Sequence, residues 1–157
     1  MDLTTTTQQT PTFDYSNLPS DTVEYLHTKE LIIEGVFHKA RFEVGRELKE
    51  AQEHLAKNGY GCFGNWCESL GFKKQTTYNL INYSNLIVQQ LDNRQLLESL
   101  PKKLAYEIAR PSAPLELKQA VLNGDISTHK EYQELKKQLE AERRTQKSVL
   151  VIYLNKL

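Results

Sequence analysis

Residues 63–83, FGNWCESLGFKKQTTYNLINY, limit what this chain can become more than any other stretch. They read as a short helix, a turn at Gly71 and a second helix. In a unit of this kind the first helix buries two apolar residues and one small one, here Trp66, Leu70 and Cys67. Gly71 turns the chain at positive φ without steric penalty. Phe72 is expected to bury just after the turn and Leu80 within the second helix. Thr77 falls where such units usually bury Val, Ile or Ala. The outward face of the second helix is Lys73, Lys74, Gln75, Tyr78, Asn79 and Asn82. Two cations and three carboxamides without an acid suit phosphates and base edges. The same pattern also fits an ordinary corner between two helices in a helical domain.

The rest of the chain reads as helix as well, so the fold class expected is all-α. It is a helix-turn-helix domain with a long N-terminal helix and a C-terminal helical extension. Residues 1–19, Thr-rich and proline-marked, are expected to form a disordered arm. Val23, Leu26, Ile33, Phe37, Ala40, Val44, Leu48, Ala51 and Leu55 then recur at helical steps, which predicts one long helix with a continuous apolar stripe. Asp21 and Glu24 are spaced as a capping box at its start. Gly35 and Gly45 fall inside the pattern, predicting a break near Gly35 or close backbone packing at Gly45. The opposite face, with Glu43, Arg46, Glu47, Lys49, Glu50 and Glu53, reads as helix-surface ion pairs.

Gly59 ends that helix, and the 63–83 unit completes a domain over residues 20–91. Short helices over 94–100, 101–110 and 114–122 make an extension over 92–127, stopped by Asn123-Gly124. A last helix starts at Thr128 and opens a segment over 128–157. Tyr132, Leu135 and Leu139 stand on it at coiled-coil spacing, a candidate homodimer seam whose alternative is packing against its own chain. Residues 149–154 have strand-like composition with no obvious partner.

Composition narrows the function classes. Lys plus Arg equals Asp plus Glu at 20 each, which argues against a strongly basic, non-specific nucleic-acid binder and permits a sequence reader with a small basic face. Two cysteines make no disulfide framework, and a reducing, cytoplasmic setting without a membrane span is expected. His54, Cys62 and Cys67 match no common zinc spacing. No Gly-rich phosphate loop, paired catalytic carboxylates or His beside a nucleophile is present, so neither an enzyme nor a cofactor is expected.

Residues 37–85, especially FEVGRELKEA and FGNWCESLGFKKQTTYNLINYS, resemble a helix-turn-helix family of unknown function carried by phages, plasmids and integrative elements of Gram-positive bacteria. The shared features are Gly45 to Leu48, Phe63 to Trp66, Gly71 and Thr76. Residues 96–135 more distantly resemble the helical part of plasmid-partition ParB proteins, without that family's arginine-rich nucleotide-binding box. The resemblances imply sequence-specific binding of double-stranded DNA by a phage or mobile-element protein in transcription regulation, replication or partition. In that role Lys73 and Lys74, helped by Lys102 and Lys103, hold phosphates. Gln75, Asn79 and Asn82 read adenines, and Tyr78 meets a thymine methyl or a phosphate. The alternative is a protein-interaction module, such as an antirepressor or an inhibitor of a host protein.

Overall fold

A computed structural model describes residues 12–155 of the chain. Of the expected arm over residues 1–19, residues 1–11 lie outside the described residues. The architecture is all-α: seven helices, one 3-10 turn and no strand among the described residues. The helices are α1 (Ser20–Lys57), α2 (Phe63–Ser69), α3 (Lys74–Gln89), α4 (Arg94–Ser99), α5 (Lys102–Ala109), α6 (Leu115–Leu122) and α7 (His129–Leu154). The chain divides into two compact units, one ending at Val36 and the other starting at Phe37.

In the first unit, Phe13 and Tyr15 meet edge to face with ring centroids 4.8 Å apart. Tyr15 in turn lies against His27, and its hydroxyl donates to the Glu30 carboxylate. The expected capping box at Asp21 and Glu24 is not formed. The helix begins two residues earlier than an Asp21 cap would set, at Ser20, and Asp21 Oδ1 accepts from the neighbouring Thr22 N–H at 2.8 Å. Nor does the helix break at Gly35, where a side chain would meet open space. A single glycine costs a helix only about 1 kcal/mol against alanine, too little to interrupt so long a run. Leu31, Ile32, Ile33 and Val36 are all exposed here, so the apolar stripe of α1 is not buried along its whole length.

The second unit holds two apolar clusters. The smaller joins Leu48 of α1, Cys67 of α2 and Leu80 and Ile81 of α3, with Val44, Phe63 and Phe72 packed around them. The larger runs from Tyr83, Leu86 and Ile87 of α3 through Leu97, Leu104 and Ile108 to Leu117, Val121, Ile126 and Tyr132. The members of this second cluster run from Tyr83 to Tyr132. Its helices are short because proline and glycine punctuate them. Pro101 and Pro114 precede α5 and α6, and Gly124, at φ 84°, ends the turn after α6. Helix α7 then opens with a complete capping box, in which Thr128 accepts from Glu131 N–H and the Glu131 carboxylate accepts from Thr128 N–H.

The packing of α7 bears on two readings of its sequence. Tyr132 is fully buried and Leu139 packs against the same cluster, so of the three candidate seam residues Leu135 alone is exposed, at 40%. Residues 149–154, strand-like in composition, continue the helix and are exposed. Composition misled because β-branched residues are also tolerated in a helix already propagating from a capped start.

Gly45 sets how closely α1 approaches α3. A Cβ built there would lie 2.1 Å from the Leu80 carbonyl oxygen and 2.9 Å from Ser84 Cβ. Gly45→Ala is therefore expected to destabilise the protein by about 1–3 kcal/mol, the usual cost of overpacking. Gly35→Ala, in open space, should stabilise it by about 0.5–1 kcal/mol through helix propensity. Denaturant titration of both variants checks the opposite signs; equal effects would remove the close-approach argument.

Tyr132 carries the one buried side-chain polar atom without a hydrogen-bond partner among the described residues, its hydroxyl. A stranded hydroxyl costs desolvation and returns no bond, so Tyr132→Phe is expected to leave stability unchanged or raise it by about 1–2 kcal/mol. A lower melting temperature in that variant would show that the hydroxyl is satisfied in solution.

Candidate nucleic-acid interface

Helices α2 and α3 are held at a fixed angle by the turn between them. Leu70 ends α2, and Gly71 stands at φ 86°. Its N–H donates to the Glu68 carbonyl at 2.9 Å, and Phe72 N–H reaches back to the Cys67 carbonyl at 3.0 Å. These bonds satisfy the last carbonyls of α2 in the manner of a left-handed helix stop. Phe72 then tucks against the smaller cluster as expected.

The first helix departs from its predicted burial. Cys67 is buried, but Trp66 is 38% exposed and Leu70 53% exposed. With only seven residues, α2 meets α3 along a single line, and Cys67 and Phe63 occupy it. Trp66 instead faces a groove toward α1, lined also by Ala51, His54, Leu55 and Cys62. His54 and Cys62 thus share a groove while Cys67 points into the core. No group of three or more potential metal ligands occurs among the described residues.

Helix α3 has one side in the core and one side out. Thr77, Leu80, Ile81, Tyr83, Ser84, Leu86 and Ile87 are buried. Thr77 fits a position better suited to an apolar residue because its hydroxyl donates to the Lys73 carbonyl one turn back, at 3.3 Å. On the other side Lys73, Lys74 and Gln75 are exposed, Tyr78 is 42% exposed, and Asn79 and Asn82 are half-buried. Gln75 Nε2 donates to Asn79 Oδ1 at 2.9 Å, so these amides share one patch. No side chain caps the start of α3, which leaves its first N–H groups directed outward beside Lys73 and Lys74. One feature was not visible in the linear pattern: Glu68 of α2 lines the same hollow as Lys73 and Lys74, so one acid stands beside the two cations.

Lys102 and Lys103 do not join this patch in any contact. Both are exposed at the start of α5, and Lys102 Nζ lies 5.9 Å from the Tyr106 ring. Tyr106 packs edge-on against Tyr83, whose position on α3 is nearly opposite that of Tyr78 and Asn85. On that inner side, burial pushes the Tyr83 phenol up to about 12, with Glu98 adding to the shift. His38 Nδ1 lies 3.3 Å from the Tyr83 hydroxyl and 3.1 Å from Arg41, a polar cluster at the α1–α3 contact.

Sequence reasoning passed over a second polar hollow at the far end of α3. It is lined by Asn82, Asn85 and Gln89 of α3, by Arg110 after α5 and by Lys118 of α6. The signal available was the run of carboxamides at positions 75, 79, 82, 85 and 89, continuing beyond the segment read as the motif.

Gly71→Val tests the turn. A β-branched residue at φ 86° is strained whatever space surrounds it, so a loss of about 1–3 kcal/mol is expected by thermal or denaturant unfolding. A melting temperature equal to the parent's would contradict the left-handed turn.

Among known proteins, no family model matches the chain and no solved structure matches it. Over 93 residues, 59% of its length, it is 29% identical to a virulence plasmid protein pGP6-D-related protein of Chlamydia muridarum (strain MoPn / Nigg). The match spans 36% of that protein, so the chain is similar to about a third of a longer plasmid-related relative.

Proposed function

We propose that this is a sequence-specific, double-stranded DNA-binding protein of a plasmid, phage or other mobile element. It acts without catalysis in transcription regulation, replication or partition, in the cytoplasm. The observation that carries the reading is the outer side of α3. It follows a glycine turn from a short helix, starts without a side-chain cap, and presents Lys73, Lys74, Gln75, Tyr78, Asn79 and Asn82 with no acid of its own. Lysines at the open end of a helix meet phosphates as point charges, and the amides behind them have the donor and acceptor pair that adenine presents in the major groove. The name of the Chlamydia relative, which relates it to a virulence plasmid protein, is in keeping with a mobile-element setting. Balanced net charge also fits a local reader better than a general polyanion binder.

A second reading, a protein-interaction module, is favoured by one specific observation. Val149, Leu150, Val151, Ile152, Tyr153 and Leu154 are each about half exposed or more at the end of α7. A helix end apolar on all sides is unusual in water. Gel shifts with duplexes selected from a random pool separate the readings. For the DNA reading, the parent enriches a defined sequence. Lys73→Ala with Lys74→Ala then weakens all duplexes about equally and lowers the salt-dependence slope by roughly two. A parent that enriches no duplex at physiological salt would transfer the case to the interaction module.

A further inference from the structure

The exposed stripe of α3 does not stop where the motif does. Gln75, Tyr78, Asn82, Asn85 and Gln89 follow one another at steps of three and four, so they share one line along the helix. At its far end this line enters the hollow walled by Arg110 and Lys118. A neighbouring hollow, also touching Lys118, adds Gln90, Asn93, Gln119 and Asn123. Neither hollow has an acidic residue in its lining. Arg110 does pair with Glu107 at 3.3 Å, but Lys136 approaches the same carboxylate at 3.9 Å, so the trio keeps a positive balance.

We propose that Arg110 and Lys118, with the carboxamides of Asn85 and Gln89, form a second DNA-backbone contact at the opposite end of α3 from Lys73 and Lys74. It rests on the reading of α3 as the DNA-facing helix and extends it from one anchored end to two. From Lys74 to Gln89, α3 is sixteen residues long, which at about 1.5 Å per residue separates its ends by about 22 Å. That exceeds the width of the major groove, about 12 Å, so cations at both ends of a helix lying across the groove reach phosphates of opposite strands. The amides beside this second pair, Asn85 and Gln89, supply further hydrogen bonds to phosphate oxygens, which fix orientation without reading sequence. Two cations and three carboxamides without an acid in the lining favour this polyanion over an apolar peptide, although Leu86, Ala109, Pro111, Ala113 and Leu115 line the same hollow.

The full chain is used for the test, with duplexes that the parent itself selects from a random pool. Affinity is measured against salt for three proteins: the parent, Lys73→Ala with Lys74→Ala, and Arg110→Ala with Lys118→Ala. The expected result is a slope lower by roughly two in each double variant, with the selected sequence unchanged for the Arg110 and Lys118 pair. Hydroxyl-radical footprints should shorten on opposite sides of the site in the two cases. Because Arg110 touches Glu107 and its loss could loosen α5, Lys118→Gln alone is measured too, with an expected loss of roughly one unit of slope. If the Arg110 and Lys118 variants keep the parent's slope and footprint while the Lys73 and Lys74 variant loses both, the second contact is overturned and the DNA-facing helix stands. A change of selected sequence at constant slope would also overturn it, since a backbone contact carries no base preference. A parent that selects no duplex overturns both readings together.

Discussion

The contact on which the second unit depends is the one made by a missing side chain. At Gly45 the backbone of α1 lies against the Leu80 carbonyl of α3, closer than any Cβ would allow. Once that point is fixed, the helical repeat of α1 determines what else meets α3. One turn further on, Leu48 enters the cluster with Leu80, Ile81 and Cys67. Two turns back, buried His38 comes within 3.3 Å of the Tyr83 hydroxyl. The approach thus sets the depth and the register of the two helices together, and dispersion contacts on either side of it reward the close spacing.

The outer side of α3 is what remains once α1, α2 and α5 have claimed the rest. Packing against α1 takes Leu80 and Ser84, Thr77 lines a hollow with Phe63 and Cys67 of α2, Ile81 joins the smaller cluster, and the larger cluster takes Tyr83, Leu86 and Ile87. Carboxamides line the free side over nearly the full helix, and burying them unpaired would cost more than leaving them wet. Local charge makes up for a chain whose positive and negative residues balance, since Lys73, Lys74, Arg110 and Lys118 all border this side. Glu68 tempers one end of it. In the proposed role, few cations and many amides would give moderate attraction to a polyanion and leave discrimination to hydrogen bonding.

Away from the core, the long helices carry apolar residues that are exposed among the described residues. Leu31, Ile32 and Ile33 are exposed on α1, and so are residues 149–154 at the end of α7. Ion pairs line other parts of these helices. Arg46 bridges Glu43 at 2.8 Å and Glu47 at 3.0 Å, and Arg143 reaches Glu116 of α6 at 3.3 Å. Exposed pairs of this kind add little to stability. No helix among the described residues is long and apolar enough to cross a membrane.

By itself the sequence determined the features that rest on local chemistry. Proline and glycine placed the stops of the short helices, the 3.6-residue repeat announced α1, and Gly71 marked a turn that needs positive φ. The composition of the outer side of α3 was legible too, because a stripe of amides and lysines has no reason to be buried. Only the tertiary structure decided which of the apolar residues found partners. Trp66 and Leu70 have the spacing of a buried face, yet a seven-residue helix offers one line of contact and Cys67 takes it. Tyr132 and Leu139 have the spacing of a dimer seam, yet a cluster built from α3 to α6 reaches them first. The same holds for Arg110 and Lys118, which sit far from α3 in sequence and arrive beside it only through the packing of α5 and α6. Periodicity reports that a residue is apolar or polar on one face of its own helix. Which face meets which depends on long-range packing, and that is a property of the assembled helices.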